Sequence, residues 1–178
     1  EAEASYRKAI ELNPSDEKAH FNLGNLLRKL NRYAEAEAAY RKAIELNPSY
    51  NKAYSNLSVL LHTDLKHYME AEAAYKKVIE LNPLDAIAHF LLGLLLHNDL
   101  NRFNEAEVNY KKAIELDPLN VGIYKSLVIL LRYEFSNRLE ETQPLLEKMI
   151  EITPEDFYSY LAMQSINKQL RKTISKDH

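Results

Sequence analysis

The sequence predicts an all-α fold built from stacked pairs of helices. Three observations carry this prediction. A fourteen-residue segment recurs along the chain, prolines close its copies at spacings of 34 to 36 residues, and glycines and β-branched runs are scarce. A period of this length is typical of arrays in which each unit is one helix–turn–helix, and the composition does not favour strands. We therefore expect an α-helical solenoid.

The recurring segment is the second helix of each pair. It reads EAEASYRKAIELNP at 1–14, EAEAAYRKAIELNP at 35–48, EAEAAYKKVIELNP at 70–83, EAEVNYKKAIELDP at 105–118, and a divergent ETQPLLEKMIEITP at 141–154. Its apolar residues share one helical face, and its glutamate, arginine and lysine residues lie on the other. The first helix is less regular, but EKAHFNLGNLLRKL at 17–30 has leucines at i, i+3, i+4 and i+7.

The pattern predicts ten helices in order. They are a lone second-type helix at 2–13, pairs at 17–30 and 33–46, 51–65 and 68–81, 85–99 and 103–116, and 120–134 and 139–152, and a last helix at 155–174. The residue before each proline, from Asn13 to Thr153, is a favoured helix cap, and proline fits a first helical turn. We expect this dipeptide to end one helix and to cap the next.

The turn within the pair lengthens along the chain. One residue is added in the second and third units, where Asp64–Leu65 and Asp99–Leu100 occur. Surface turns accept insertions easily, so we expect the extra residue at the tip of the first helix. A changed superhelical pitch is the alternative.

These residues resemble the tetratricopeptide repeat over essentially the whole chain. The family pattern has a large residue, Leu-Gly and a bulky residue on the first helix, then Ala, an aromatic residue, Ala and a closing Pro. The matching residues of the three regular units are His20, Leu23, Gly24, Leu27, Ala36, Tyr40, Ala43 and Pro48; Tyr54, Leu57, Ser58, Leu61, Ala71, Tyr75, Val78 and Pro83; and His89, Leu92, Gly93, Leu96, Ala106, Tyr110, Ala113 and Pro118.

The resemblance implies a right-handed α-α superhelix (solenoid) of helix–turn–helix units in a single domain over 1–178. The expected parts are a partial repeat at 1–16, repeats at 17–50, 51–85, 86–120 and 121–156, and a C-terminal capping helix at 157–178. In the fourth repeat, Val128, Thr142 and Leu146 replace the small, alanine and aromatic residues, and Pro144 lies early in the second helix. We expect altered packing there. The polar last helix, with Arg171 and Lys172, is expected to cap the array.

Composition excludes several functional classes. The net charge of −3 gives no reason to expect a nucleic-acid partner. The chain has no cysteine, so disulfides and thiolate metal sites are excluded. No apolar run approaches the length of a membrane span, and no signal peptide is visible. Because the chain begins inside a repeat and without methionine, we expect a piece of a longer protein. Its compartment stays open, with an intracellular, cytoplasmic location as the working expectation.

No residue pattern indicates catalysis. The sequence has no phosphate-binding loop, nucleophile elbow or HExxH motif, and it has no plausible catalytic trio. His20 and His89 occupy packing positions. His62 and His97 share one position on successive first helices, but two imidazoles without a carboxylate make a poor metal site. We therefore expect no enzyme activity, no metal site and no cofactor.

The resemblance implies that function lies on the concave face, which the first helices line. The candidate partner-binding residues are Asn22, Asn25, Asn56, Ile87, Phe90, Leu91, Leu94, Lys125 and Ile129. Carboxamides supply both donors and acceptors, so Asn22 and Asn56 could hold a peptide backbone. The apolar residues of the third repeat form a patch that is typical of an interaction surface, unless the fold buries them.

The predicted function is a protein–protein interaction scaffold that binds a peptide or a helix in this groove. The carboxylate clamp of chaperone-binding family members is absent, because Phe21, Ile87 and Leu91 occupy its cationic positions. The asparagine ladder of O-linked N-acetylglucosamine transferase resembles Asn22 and Asn56 but stops at Leu91. The alternatives are a structural module that associates end to end through its uncovered N-terminal helix, and an accessory or sensor domain of a larger enzyme. Near-identity of the first copies also fits a consensus-based array.

Overall fold

The computed structural model describes the backbone of residues 1–174 and the side chains of these residues except 136 and 170–174. This part of the chain consists of ten α-helices and two short irregular helices, and it contains no strand. The helices are α1 (Ala2–Leu12), α2 (Glu17–Lys29), α3 (Tyr33–Leu46), α4 (Asn51–Val59), α5 (Tyr68–Leu81), α6 (Ala86–Asn98), α7 (Phe103–Leu116), α8 (Val121–Tyr133), α9 (Thr142–Ile152) and α10 (Phe157–Ile174). The all-α prediction is confirmed.

The chain divides by its internal contacts into two compact units, Glu1–Leu95 and Leu96–His178. The first unit holds α1 to α5 and most of α6, and the second holds the end of α6 and α7 to α10. The division of the chain into one domain with the repeat boundaries given above stays a prediction.

In the first unit, the helices of a pair pack through small residues opposite an aromatic ring. Ala36, Tyr40 and Ala43 of α3 are buried, as are Leu23 and Gly24 of α2. The Tyr40 ring lies directly on Gly24: a methyl group added to this glycine would come within 2.7 Å of two ring carbons. The glycine is therefore required by the close approach of the ring.

Replacement of Gly24 with alanine is expected to destabilise the protein by about 1–3 kcal/mol, because the added methyl group overpacks the site beneath Tyr40. Tyr40 has little room to move, since it is 1% exposed and its hydroxyl is hydrogen-bonded. Urea unfolding followed by circular dichroism measures the change. The matched control is Gly122→Ala on α8, where the added methyl group would come no closer than 3.2 Å to the flexible Asn120 side chain. Equal unfolding curves for Gly24→Ala and the wild type would contradict the prediction.

The residue before each proline ends a helix but does not cap the next one. Asn13 and Asn47 follow α1 and α3, and their side-chain oxygens accept the N–H groups of Ser15 and Ser49 within the turn. The cap of α2 is Asp16, which accepts hydrogen bonds from two N–H groups of the first turn at 2.9 and 3.0 Å. The expected capping role of the dipeptide is therefore wrong, because a β-turn separates it from the next helix.

The extra residue of the second repeat lies at the end of its first helix. Residues Leu60–Asp64 form a π-helical turn, and Leu65 N–H donates to Leu60 O at 3.0 Å. In the first repeat, Arg32 N–H reaches back five residues to Leu27 O at 2.9 Å. In the second, His67 N–H reaches back six residues to Leu61 O at 2.8 Å. The insertion thus lengthens the turn by one residue. The second helix then begins one residue after this hydrogen bond, as it does in the first repeat.

In each unit, arginine side chains form ion pairs with glutamates of second-type helices. Arg32 donates to Glu3 of α1 at 2.8 and 2.9 Å and to Glu35 of α3 at 2.6 and 2.7 Å. Arg138, in the 3₁₀ segment Ser136–Glu141, donates to Glu107 of α7 at 2.6 and 2.8 Å. Hydrogen bonds between two charged groups are stronger than those between neutral groups. The Arg138 guanidinium lowers the pKa of Glu107 to about 2.

The second unit shows the altered packing that the sequence predicts for the fourth repeat. Leu146 and Met149 of α9 are fully buried against Tyr124 and Val128 of α8. A 3₁₀ segment delays α9 until Thr142, whose buried hydroxyl donates to Leu139 O at 2.5 Å. The helix α10 adds its buried Ala162 and Ile166 to the same cluster. The side chains of Arg171 and Lys172 lie outside the described part of the chain.

Candidate functional site

The first helices of the first unit carry a continuous row of polar and apolar residues. On α2 the row comprises Lys18, Asn22, Asn25 and Lys29; on α4 it comprises Lys52, Asn56 and Val59; and on α6 it comprises Ile87, Leu91 and Leu94. Within each helix these residues are three or four positions apart, so they share one face. This row of residues is called the first-helix face.

The centre of the first-helix face is a hydrogen-bond network between two repeats. The Asn25 side-chain oxygen accepts a hydrogen bond from the Tyr40 hydroxyl at 2.8 Å and another from Asn56 Nδ2 at 2.6 Å. Burial raises the pKa of Tyr40, so its hydroxyl stays protonated and remains a donor. Within the described residues, Asn25 Nδ2 and Asn56 Oδ1 have no hydrogen-bond partner. The network therefore leaves one donor group and one acceptor group available to a ligand.

A polar pocket of about 510 Å³ opens beside this network. Its lining residues are Asn25, Arg28, Lys29, Asn31, Tyr33, Tyr40, Asn56 and Asp64. Arg28 Nε donates to Asp64 at 2.7 Å, and Arg28 Nη2 donates to the Thr63 hydroxyl at 3.3 Å. Asp64 belongs to the lengthened turn of the second repeat, so the insertion supplies the carboxylate that neutralises Arg28.

An apolar pocket of about 280 Å³ lies on the other side of Asn56. Its lining residues are Ser55, Asn56, Ser58, Val59, Tyr75, Val78, Asp85, Ile87, Ala88 and Leu91. Asp85 lies at its edge and accepts the N–H of Ala88 at 3.0 Å at the start of α6. Asn56 is therefore shared by a polar and an apolar pocket.

The candidate residues divide into three groups. Asn25, Asn56, Ile87 and Leu91 line these two pockets. Asn22, Phe90 and Leu94 are half-buried and line neither pocket. Lys125 and Ile129 belong to the second unit, where the Lys125 ammonium group lies 4.2 Å from the centre of the Tyr158 ring and Ile129 is half-buried. The role of all these candidate residues in binding stays a prediction.

The apolar patch of the third repeat is less exposed than its sequence suggested. Ile87 is 63% exposed, whereas Phe90, Leu91 and Leu94 are half-buried. Sequence reasoning also did not select Asp64, Tyr75 and Val78 as lining residues. They lie in a turn and on a second helix, and only the packing of neighbouring repeats brings them to the first-helix face. A pocket, rather than a flat patch, is the result.

The histidines of the shared first-helix position contact tyrosines. His62 Nδ1 lies 3.3 Å from the Tyr75 hydroxyl, and His97 Nδ1 lies 3.3 Å from the Tyr110 hydroxyl. Burial lowers the pKa of His97, so its ring is neutral near pH 7. Over residues 1–174, no group of three or more histidine or carboxylate side chains could hold a metal ion.

Helix α1 is the surface for which the sequence suggested end-to-end association. None of its side chains is buried, although its sequence is nearly that of α3. Self-association stays a prediction. No helix in the described part of the chain is both long and apolar enough to span a membrane.

Comparison with protein-family models finds tetratricopeptide repeats along the chain. A tetratricopeptide-repeat model matches residues 17–50, a TPR-repeat model matches residues 1–29, and a further tetratricopeptide-repeat model matches residues 59–121. A search of curated proteins finds no match.

Solved structures with the same fold include three similar chains. The crystal structure of MamA has a TM-score of 0.78 and 22% identity, with 86% of this chain and 87% of that chain covered. MamA 41-end from Desulfovibrio magneticus RS-1 has a TM-score of 0.76 and 21% identity, covering 87% and 85%. A tetratricopeptide repeat protein from Parabacteroides merdae ATCC 43184 has a TM-score of 0.76 and 22% identity, covering 97% and 67%. At these identities the likeness concerns the fold.

Proposed function

Because this chain belongs to the tetratricopeptide-repeat family, whose members are typically non-catalytic scaffolds for protein interaction, we propose that its first unit binds an extended peptide along the first-helix face. The observation that carries the proposal is the position of Asn56 between a polar and an apolar pocket. A peptide that crosses Asn56 would meet both pockets.

The asparagine network supplies the contact to the peptide backbone. Asn56 Oδ1 can accept a hydrogen bond from a backbone N–H, and Asn25 Nδ2 can donate one to a backbone C=O. The Tyr40 hydroxyl and the direct bond between Asn25 and Asn56 hold both carboxamides in place. A site that is already ordered loses little conformational entropy on binding, so these contacts are well suited to hold a backbone of any sequence.

The apolar pocket supplies the contact to a side chain. Val59, Val78 and Leu91 line its wall, and Ile87 lies at its exposed edge. Burial of an apolar peptide side chain here removes apolar surface of both partners from water, which is the main source of affinity in small sites. We expect an aliphatic or aromatic residue of the peptide to occupy this pocket.

Replacement of Ile87 with aspartate is expected to weaken peptide binding at least about tenfold, because a charge at the pocket edge must be desolvated when an apolar side chain enters. Peptides are first selected from a random peptide library on the wild-type protein. Their dissociation constants are then measured by fluorescence anisotropy on the wild type and on the variant. Since Ile87 is largely exposed, circular dichroism should show an unchanged fold.

The matched control is Leu84→Asp. Leu84 precedes α6, is 74% exposed and lines neither pocket, so this variant adds the same charge three residues away. We expect its affinity for the selected peptides to stay within about twofold of the wild type. Selected peptides that bind the Ile87 variant as tightly as the wild type, or a library that yields no peptide, would exclude the proposed site.

A further inference from the structure

We infer that the first unit selects acidic peptides, in which a carboxylate lies about four residues from the apolar residue that fills the apolar pocket. This inference rests on the proposed function and adds the chemical class of the ligand. It is carried by the distribution of unpaired lysines in the first unit.

The lysines of the second-type helices have carboxylate partners. In the first unit, Lys8 pairs with Glu11 at 3.0 Å, Lys42 with Glu45 at 2.8 Å, Lys76 with Glu72 at 2.7 Å and Lys77 with Glu80 at 2.7 Å. The two residues of each pair lie three or four positions apart on one helix. The exposed surface of α1, α3 and α5 that carries these pairs, called the second-helix face, is therefore locally neutral.

The lysines of the first helices differ. Lys18 and Lys29 of α2 and Lys52 of α4 are exposed, and none of them forms an ion pair with another described residue. All three lie on the first-helix face. Lys18 and Lys29 flank Asn22 and Asn25 on α2, and Lys52 lies one turn before Asn56 on α4. The unpaired positive charge of this unit's first helices is therefore concentrated where the peptide backbone is proposed to lie.

Two carboxylates near the first-helix face already have bonding partners within the protein. Asp64 forms an ion pair with Arg28, so these two charges cancel each other and Asp64 does not neutralise the lysines. Asp85 caps α6 at the edge of the apolar pocket and would repel an acidic residue placed directly there. Asp16 caps α2 in the same way, so both helix starts repel an acidic residue. Attraction by Lys29 near the end of α2 therefore favours an acidic residue beside Lys29, at the α2 end of the peptide.

The spacing follows from the dimensions of packed helices and extended chains. The first helices α2 and α4 are neighbours, since Asn25 and Asn56 are hydrogen-bonded. Packed helices lie about 8–10 Å apart, and an extended peptide advances about 3.3 Å per residue. The apolar pocket is lined by both α4 and α6, so it lies about one and a half helix spacings from α2. An extended peptide covers this distance of about 12–15 Å in about four residues, and residues four apart point to the same side of an extended chain. The peptide in this proposal carries an apolar residue at the pocket and a carboxylate about four positions away, beside Lys29.

The random peptide library described above also tests this inference. We expect the selected peptides to have a negative net charge and to carry Asp or Glu about four positions from an aliphatic or aromatic residue. Otherwise identical synthetic peptides with Gln in place of Glu should bind roughly three- to tenfold more weakly at low ionic strength. The difference in affinity between the two peptides should shrink as salt is added.

A charge reversal in the protein gives the second measurement. Lys29→Glu is expected to weaken binding of a selected acidic peptide roughly three- to tenfold at low ionic strength. Lys8→Glu is the matched control, because it changes the net charge equally on the second-helix face of α1, and its affinity should stay within about twofold of the wild type. Circular dichroism checks that both variants fold.

The outcomes separate this inference from the proposed function. If selected peptides lose binding to Ile87→Asp but are neutral or basic, or bind Lys29→Glu as tightly as the wild type, acidic selectivity is overturned and the peptide groove stands. If no selected peptide depends on Ile87, both are overturned. Loss of binding in both Lys29→Glu and Lys8→Glu would show a general charge effect and would also overturn the inference.

Discussion

Replacement of Tyr40 with alanine is expected to lower the free energy of unfolding by about 3–5 kcal/mol, the range for deletion of a large buried aromatic side chain. The ring is 1% exposed, lies on Gly24 and has its centre 6.0 Å from that of Phe21. Its loss leaves a cavity between α2 and α3 and removes the donor to Asn25. Urea unfolding followed by circular dichroism measures the effect.

The Tyr40→Phe variant separates the contribution of the ring to stability from that of the hydroxyl. Tyr40→Phe keeps the packing and loses one hydrogen bond, so we expect a cost of about 1 kcal/mol. Tyr133→Ala is the matched control, because Tyr133 is 67% exposed, and its cost should stay within about 0.5 kcal/mol. A Tyr40→Ala variant as stable as this control would contradict the assignment of Tyr40 to the core of the first repeat.

Replacement of Glu107 with glutamine is expected to cost about 2–3 kcal/mol at neutral pH. Glu107 is 8% exposed and accepts two hydrogen bonds from Arg138, which joins the turn of the fourth repeat to α7. The folded protein lowers the pKa of this carboxyl from 4.5 to about 2. A pKa shift of this size corresponds to a contribution of this order to stability. The substitution removes one of the two ion pairs of Arg138, and the pair with Glu141 at 2.6 and 2.8 Å remains.

The same pKa fixes how the effect depends on pH. A carboxyl whose pKa is lower in the folded state adds stability above its unfolded pKa and loses it as the pH falls toward the folded pKa. The difference between wild type and Glu107→Gln should therefore be full above about pH 5 and shrink between pH 4.5 and pH 2. Urea unfolding at a series of pH values measures it.

Glu115→Gln provides the control for net charge. Glu115 forms an exposed pair with Lys112 three residues earlier on α7, and exposed pairs of this kind contribute about 0.2–1 kcal/mol at most. Its variant should change stability little at any pH. A constant difference between wild type and Glu107→Gln across the acidic range would show that the Arg138 bond does not shift the titration of Glu107.

The fold was predictable because several independent sequence patterns indicate the same helix–turn–helix unit. The proline period, the alanine and tyrosine positions of the second helices and the leucines of the first helices all require one helix–turn–helix unit. The structure places Ala36, Tyr40 and Ala43 in the core at the positions that the pattern gave them. Helix boundaries were less predictable, since the Asn–Pro turn caps no helix and the start of α9 depends on the 3₁₀ segment.

The candidate site was predictable only in part. Asn25, Asn56, Ile87 and Leu91 could be selected from the sequence because the repeat pattern assigns their helical face. Their pockets could not, because Asp64, Tyr75 and Val78 come from a turn and a second helix. The use of Asn25 as an acceptor for both Tyr40 and Asn56 also follows from distances between repeats that no local pattern contains.

The sequence by itself determined the family, the helical pairs and the positions that form the core, because these depend on periodicity within one repeat. The tertiary structure decided which side chains are shared between repeats: the bond from Asn56 to Asn25, the neutralisation of Arg28 by Asp64, and the lysines that keep no partner. The physical reason is that hydrogen bonds and ion pairs require contact within about 3 Å, and such contacts between residues about 30 positions apart form only when repeats stack.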